Sequence, residues 1–471
     1  MFGFEVNKAL PVSAAKQLAQ QIRGAILSGA LPSGEKMPPT RSLAAELNIA
    51  RNTVIEVYEQ LLAEGYLLSK TGSGTYVAGL DALPAPRPLP PELGFSAGKK
   101  PQADMISFDP GNPDCSAFPQ ALWAKLLREA CLDADLSAFG YLPSGAGVPA
   151  LQSALRAYLY RMKGIVCSEA QVVILPGTFS GLQLLAKALY REGGTLAVED
   201  PCMPFVRQAF EGCGYDIHPV EVDAQGMKTD ELKQADRLRA VYTVPSHQFP
   251  VGGVLPIARR VSLLRHAAER DAYVIEDDYD GEFRYEGEPI QPLHRLNSER
   301  VIYLGSFSKI FSPALRIAYL ILPWQLRDKV VRQMELTNTW ANTIEQLALA
   351  RLIDERLLDK HIYRMKKLYE AKRLLLMRSL SQAFDGRVAV SGENAGMHLL
   401  AHFTHPFTRN DYGAFARQGV EADCVERYAI HKGRHEHELV LGYGNLSDGQ
   451  IQEGVQRLKY ALKQGEAVSK T

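Results

Sequence analysis

In Gly305-Ser306-Phe307-Ser308-Lys309 a lysine closes a small, hydroxyl-bearing turn after the apolar run RVIYLG. A lysine at the end of a buried strand, shielded from water, loses proton affinity and can form a Schiff base with a carbonyl. Arg316, seven residues on, offers a planar fork for a phosphate. Glu276-Asp277-Asp278-Tyr279-Asp280 ends a second run, AYVIEDD. Acids at the carboxyl end of a parallel strand point into a ligand crevice. A carboxylate there can keep a pyridinium nitrogen protonated, which makes a pyridoxal ring an electron sink, and a nearby tyrosine can bond the ring's phenolic oxygen. Val173-Ile174-Leu175-Pro176-Gly177-Thr178-Phe179-Ser180-Gly181 runs from a strand into a helix whose first N–H groups suit a phosphate. The loop TVPSHQFPVG, residues 243–252, could line the same crevice. Taken singly, each stretch also reads as an ordinary solvated turn or strand-to-helix connection. Together they point to one site.

A second kind of chemistry lies near the N-terminus. Arg51, Asn52 and Thr53 open a helix that follows a short helix and the turn Asn48-Ile49-Ala50. Arginine can bond guanine bidentately and asparagine can bond adenine. Arg41 suits a phosphate. Gly72 and Gly74, in a turn between two short apolar strands, let a wing backbone approach a sugar-phosphate chain. The pattern is that of a winged helix-turn-helix, whose second helix enters the major groove. A small helical domain that binds protein is the alternative, and one count favours it. Residues 1–80 carry seven Lys/Arg against six Asp/Glu, a weak basic excess for a DNA reader.

The elements that must position these groups are legible as periodicities. Leu18, Ile22, Ala25 and Ile26 recur at helical spacing. Leu43, Ala44 and Leu47 face inward on a second helix that Thr40 is expected to cap. Val54, Val57, Tyr58 and Leu61 form the inner face of a third, which Gly65 stops. Residues 80–104 hold prolines at 84, 86, 88, 90, 91 and 101 and read as an extended linker. Beyond it, runs at 172–177, 195–200, 239–245, 272–278 and 300–305 read as buried strands separated by helices, the signature of a mostly parallel sheet. After about residue 325 the pattern is mainly helical, and a smaller mixed domain closes the chain. The division expected is a DNA-binding domain over 1–79, a linker over 80–104 and a ligand-binding domain over 105–465.

Composition sets bounds. Hydrophobic residues make up 46% of the 471 and charged residues 23%, which excludes a largely disordered or fibrous chain. Lys+Arg and Asp+Glu balance at 53 each, which argues against non-specific coating of nucleic acid over the whole surface. The six cysteines form no C-x-x-C pair, so neither a zinc motif nor a disulfide scaffold is expected. No apolar run is long enough to span a membrane, and the start MFGFEVNKAL lacks the basic region and long apolar stretch expected of a signal peptide. A cytoplasmic protein without a metal site is the expectation.

The segment LPSGEKMPPTRSLAAELNIARNTVIEVYEQLLAEGYLLSKTGSGTYV resembles the GntR-type winged-helix domain. One departure is Ala50, where that family commonly has a capping serine. The crevice motifs, in their order, resemble the fold-type-I aminotransferases. TVPSHQFPVGG, IEDDYDGEF, GSFSK, ALRIAYLILP and NAGMH resemble MocR-type regulators, in which the two are fused. The resemblance implies an α/β fold: an N-terminal winged helix-turn-helix, then a fold-type-I aminotransferase-like domain with a mostly parallel central sheet. It implies pyridoxal 5'-phosphate as cofactor. Lys309 would be the Schiff-base lysine, and Asp277 would face the pyridine nitrogen. Tyr279 would bond the ring oxygen. Ser306, Ser308, Arg316 and the backbone at Thr178 and Phe179 would hold the phosphate. Tyr141, in YLPSGAG, would reach that phosphate from a neighbouring subunit.

Two further departures bear on the ligand. Met203 stands where an aromatic residue often stacks on the ring. Asn445 stands where an arginine commonly clamps a substrate carboxylate; Arg207 or Arg434 could compensate. The resemblance therefore implies a transcription regulator, not an enzyme. Its partners would be a double-stranded DNA operator, RNA polymerase and a second copy of the chain, with domains swapped between copies. Its large domain would sense pyridoxal phosphate itself or an amino compound that condenses with it. The alternative is a working aminotransferase with an auxiliary DNA-binding domain.

Overall fold

The computed structural model describes residues 2–79, 104–140, 145–404, 406–407 and 409–468. The chain forms two compact units, residues 1–100 and 101–471. The expected linker lies outside the described residues except for Asp104.

The first unit holds helices α1 (Ala14–Leu27), α2 (Thr40–Leu47) and α3 (Arg51–Ala63) and an antiparallel hairpin, β1 (Leu67–Lys70) with β2 (Gly74–Val77). Leu18, Ile22, Leu43, Val54, Val57, Leu61 and Leu67 are buried in one core, with Ala25 and Leu47 packed at its rim. The turn between α2 and α3 works because Asn48 takes the left-handed conformation, φ 49°, which asparagine tolerates. Thr40 does not cap α2. Pro39 occupies the N-cap of α2 and Thr40 is already helical, so no side chain caps that helix. Proline has no side-chain acceptor to offer, and the Thr40 hydroxyl instead lies 3.5 Å from Arg51 Nε.

The second unit is built on an eight-stranded sheet. Its order is Val172–Leu175, Ala318–Ile321, Val301–Ser306, Tyr273–Asp278, Leu238–Thr243, Thr195–Asp200, Asp216–Asp223 and Gly226–Met227. All five expected strands are present and run parallel to one another. Ala318–Ile321 runs against its two neighbours, and Gly226–Met227 closes the far edge antiparallel. The five strands are buried on both faces, as parallel strands covered by helices must be. Their carboxyl ends therefore share one edge of the sheet. A four-stranded antiparallel sheet shares an apolar core with the helices Leu357–Ala383 and Asp448–Val468. No helix among the described residues is long and apolar enough to cross a membrane.

Candidate cofactor crevice and DNA-reading face

Lys309 lies three residues past the carboxyl end of Val301–Ser306, and Asp277 lies one residue before the end of the adjoining strand. Alternation along Tyr273–Asp278 sorts its acids by face. Glu276 turns to the protein side, where the backbone N–H groups of Leu293 and His294 donate to it at 2.7 and 2.9 Å. Asp278 is also taken up, by Lys163 at 2.8 Å and the Tyr303 hydroxyl at 2.6 Å. Asp277 points the other way and accepts one hydrogen bond from a side chain, the Tyr242 hydroxyl at 2.6 Å. Burial pushes its carboxyl up to about 7, with the neighbouring Asp278, Asp280 and Glu199 adding to the rise.

Burial also lowers the proton affinity of Lys309, against the opposing pull of Asp109, Asp280 and Asp277. Its Nζ donates to the carbonyl of Gly111. The segment around Gly111 is pressed against the other side of the crevice. A side chain at Gly442 would overlap the backbone of Asp109 and Pro110.

The phosphate-sized end is formed by a helix start and an arginine. Helix Thr178–Ala188 begins after Gly177, whose φ of 97° suits glycine, and no side chain caps it. Its first N–H groups are thus open to an external acceptor. The guanidinium of Arg316 lies beside Gly177, where a Cβ would stand 2.8 Å from Nη2 and 3.1 Å from Cζ. Arg316 is exposed and forms no ion pair among the described residues. Ser306 is buried and Ser308 half-buried at the same strand end. Phe179 is partly exposed, its ring 6.3 Å from that of Phe205. An amine of lowered basicity, a buried carboxylate and an uncapped helix start beside a spare cation are the donor set that pyridoxal phosphate needs. The residues fit the group.

Met203 and Tyr279 rest against an apolar cluster of Phe249, Leu400, Val425, Tyr428 and Val440. Arg207 pairs with Glu211 at 3.6 Å and Arg434 with Glu221 at 3.2 Å. Asn445 follows Glu438–Gly442 and is half-buried, its Oδ1 buried without a hydrogen-bond partner. Tyr141 lies outside the described residues. Sequence reasoning missed Tyr242, Asp109, Gly111, Asp280 and His247 as parts of this site. Two of these lay inside quoted stretches without being given a role, Asp280 in Glu276–Asp280 and His247 in the loop 243–252.

On the first unit, Arg41, Arg51, Asn52, Gly72 and Gly74 are exposed and Thr53 is half-exposed. Ala50 is the N-cap of α3 and provides no side-chain cap, so the helix start is open. The wing carries a feature absent from the sequence reading. Lys36 and Lys70 approach the Tyr76 ring at 5.8 and 4.8 Å from its centroid, and the Tyr76 hydroxyl meets Ser73 Oγ at 2.6 Å. Two cations are thus gathered beside the Gly72–Gly74 turn.

A winged helix-turn-helix preceding a large α/β unit with a ligand crevice defines a DNA-binding regulator that has a small-molecule domain. Residues 14–77 match the family of bacterial regulatory proteins of the gntR type. The chain is 34% identical over 470 residues to the uncharacterized HTH-type transcriptional regulator YdeL of Bacillus subtilis, covering 97% of this chain and 98% of that one. It is 33% identical over 463 residues to the probable rhizopine catabolism regulatory protein MocR of Rhizobium meliloti, covering 95% and 93%. The kynurenine aminotransferase of Pyrococcus horikoshii, solved in complex with PMP, superposes with a TM-score of 0.71 at 28% identity, over 77% of this chain and 92% of that one. The chain belongs to the MocR-type family of GntR transcription regulators, with an aminotransferase-like C-terminal domain.

Proposed function

We propose that the regulator binds pyridoxal 5'-phosphate at Lys309 and uses the loaded crevice to sense a small ligand, with residues 1–79 reading DNA, 80–104 linking and 105–465 sensing. The observation that carries the reading is the shared sheet edge. A half-buried lysine of lowered basicity, Asp277 and an uncapped helix start with Arg316 lie at the carboxyl ends of strands that run the same way, which supports one crevice. When bound, the cofactor supplies a carbonyl that takes up primary amines and a ring that withdraws electrons.

The protein's own residues do the rest. Lys309 offers an amine that burial favours in its neutral, nucleophilic form. Asp277 holds a proton at the ring nitrogen, and Tyr242 keeps that carboxylate turned inward. Tyr279 donates to the ring oxygen. Arg316, Ser306, Ser308 and the N–H groups at Thr178 and Phe179 grip the phosphate, with Tyr141 of a second copy completing it. Met203 packs on the ring through its sulfur. Asn445 itself offers a neutral amide to a carboxylate, and Arg207 and Arg434 already have acidic partners. That favours sensing of pyridoxal phosphate itself or of an amine over turnover of standard amino acids.

On the DNA side, Arg51, Asn52 and Thr53 read bases, Arg41 and the wing at Gly72 and Gly74 hold the backbone, and a homodimer pairs two half-sites. The ligand acts by binding one arrangement of the regulator more tightly than another, altering operator occupancy or contact with RNA polymerase.

The test is an absorption spectrum of the wild type and of Lys309→Ala with pyridoxal phosphate added, followed by turnover assays over an amino-acid panel. The reading predicts a visible band present only in the wild type, with negligible turnover. Efficient transamination would instead favour an aminotransferase carrying a DNA-binding domain.

A further inference from the structure

Behind Tyr279 lies a fully buried group that the reading above does not use. His247 comes from the loop after Leu238–Thr243, Asp280 from just past Tyr273–Asp278, and His398 opens His398–His402 of the smaller sheet. His247 Nδ1 lies 2.8 Å from Asp280 Oδ2, and its Nε2 lies 3.2 Å from the carbonyl of Gly392. Both ring nitrogens face oxygens that accept protons from donors. A neutral imidazole can satisfy only one of them, whereas an imidazolium satisfies both. The Tyr279 hydroxyl lies 3.2 Å from the same Nδ1, with the two rings stacked at 6.2 Å between centroids.

The surroundings agree. Burial opposes charge on His247, yet the Asp280 carboxylate outweighs it and holds the imidazole above its ordinary range. His398, 5.0 Å away ring to ring, is pushed down to about 3 by burial and by its cationic neighbour, and so stays neutral. Asp280 also acts on the Tyr279 phenol directly, by charge and by hydrogen bonding, and with burial holds its proton more tightly; the other charged or titratable groups are Arg284 beside His247, Lys309 beside His398, and Asp277 and Tyr443 beside Tyr279. The backbone is moulded to the pair as well. Gly396 has a φ of 75°, and any side chain there would overlap both Asp280 Oδ2 and His247 Cε1. The same three side chains bring ligand atoms within 4.8 Å of one another, as a metal site would. However, His398 Nε2 is bonded to the carbonyl of Pro250 at 3.1 Å and both nitrogens of His247 are engaged, which suits a hydrogen-bonded relay better than a metal cage.

We infer that His247, held as an imidazolium by Asp280, is a positioning residue for Tyr279: it orients the phenol toward the crevice and places a buried positive charge directly behind the phenol oxygen. The inference rests on the cofactor reading above for the group that Tyr279 faces. A cation and a donor behind the ring oxygen favour loss of the proton shared with the Lys309 nitrogen. Removing the cation makes that proton harder to lose.

Two measurements decide it. Nitrogen NMR of histidine-labelled, cofactor-free protein should show His247 doubly protonated at neutral pH; a neutral tautomer overturns the inference. With pyridoxal phosphate bound, the midpoint of the pH titration of the visible band is compared among wild type, His247→Gln, Tyr279→Phe and the double variant. The expected result is an upward shift of about one pH unit or more in His247→Gln, with the double variant matching Tyr279→Phe alone. No shift, or additive shifts, overturns it. Should His247→Gln not fold, the NMR result on the unaltered chain decides. A wild type without any Lys309-dependent band fails the cofactor reading and the inference together. A band that ignores His247 fails the inference alone.

Discussion

Burial raises the Asp277 carboxyl from its ordinary 3.8 to about 7, so the folded chain holds this proton more tightly than the unfolded chain does. The stability tied to that proton is present in full below pH 3.8 and is lost as pH rises through about 7. A pyridinium N–H against the carboxylate would offset the loss. Pyridoxal phosphate should therefore raise Tm more above pH 7 than below it, and Asp277→Asn should flatten that difference; calorimetry across the range checks this. Glu199 and Glu276 are raised to about 7 by burial as well, so the informative quantity is the difference between wild type and variant. On the DNA side, Asn52→Ala should cost about 1–3 kcal/mol at a single base position, while Lys70→Ala should weaken all sequences alike and reduce the salt slope by about one. Fluorescence titrations against operator variants distinguish the two. Lys309 and Asp277 were legible because a charged residue ending an apolar run is conspicuous. Tyr242 was not, since within RAVYTVP a tyrosine reads as core, and its bond to Asp277 exists only once two strands pair in register.

Among the elements, the helix starts proposed to meet DNA and the phosphate both lack a side-chain cap, and each makes a prediction. Ala50 takes an N-cap conformation without a side-chain acceptor. Ala50→Ser should stabilise the first unit by about 1 kcal/mol, measurable as a higher denaturation midpoint. At Gly177, positive φ strains any other residue, and a methyl group there would push the nearby Arg316 guanidinium aside. Gly177→Ala should displace Arg316 and weaken pyridoxal phosphate binding by about tenfold or more, on the order of 1.4 kcal/mol, in spectroscopic titration. The buried parallel strands were readable as short apolar runs between turns. Two others were not. Asp216–Asp223 alternates charged and apolar residues around Pro219 near the sheet edge, and Ala318–Ile321 looks like any apolar run, its reversed direction being set by the neighbours it joins. The cap expected of Thr40 failed because the preceding proline already ends the extended chain.

At the scale of the whole molecule, the winged-helix and aminotransferase-like halves were legible from local motifs, since each motif is contiguous in sequence. What couples them was not, because coupling depends on arrangements of units and copies that no local pattern encodes. The central claim is that the crevice chemistry at Lys309 governs DNA binding. It is tested most directly by titrating DNA from the regulator's own upstream region with wild type and Lys309→Ala, each with and without pyridoxal phosphate and with a panel of amines. Wild-type affinity should change on adding pyridoxal phosphate, or on adding an amine to the loaded protein, and Lys309→Ala should bind DNA but ignore both. A variant that responds like the wild type, or a wild type indifferent to cofactor and amines alike, would contradict it.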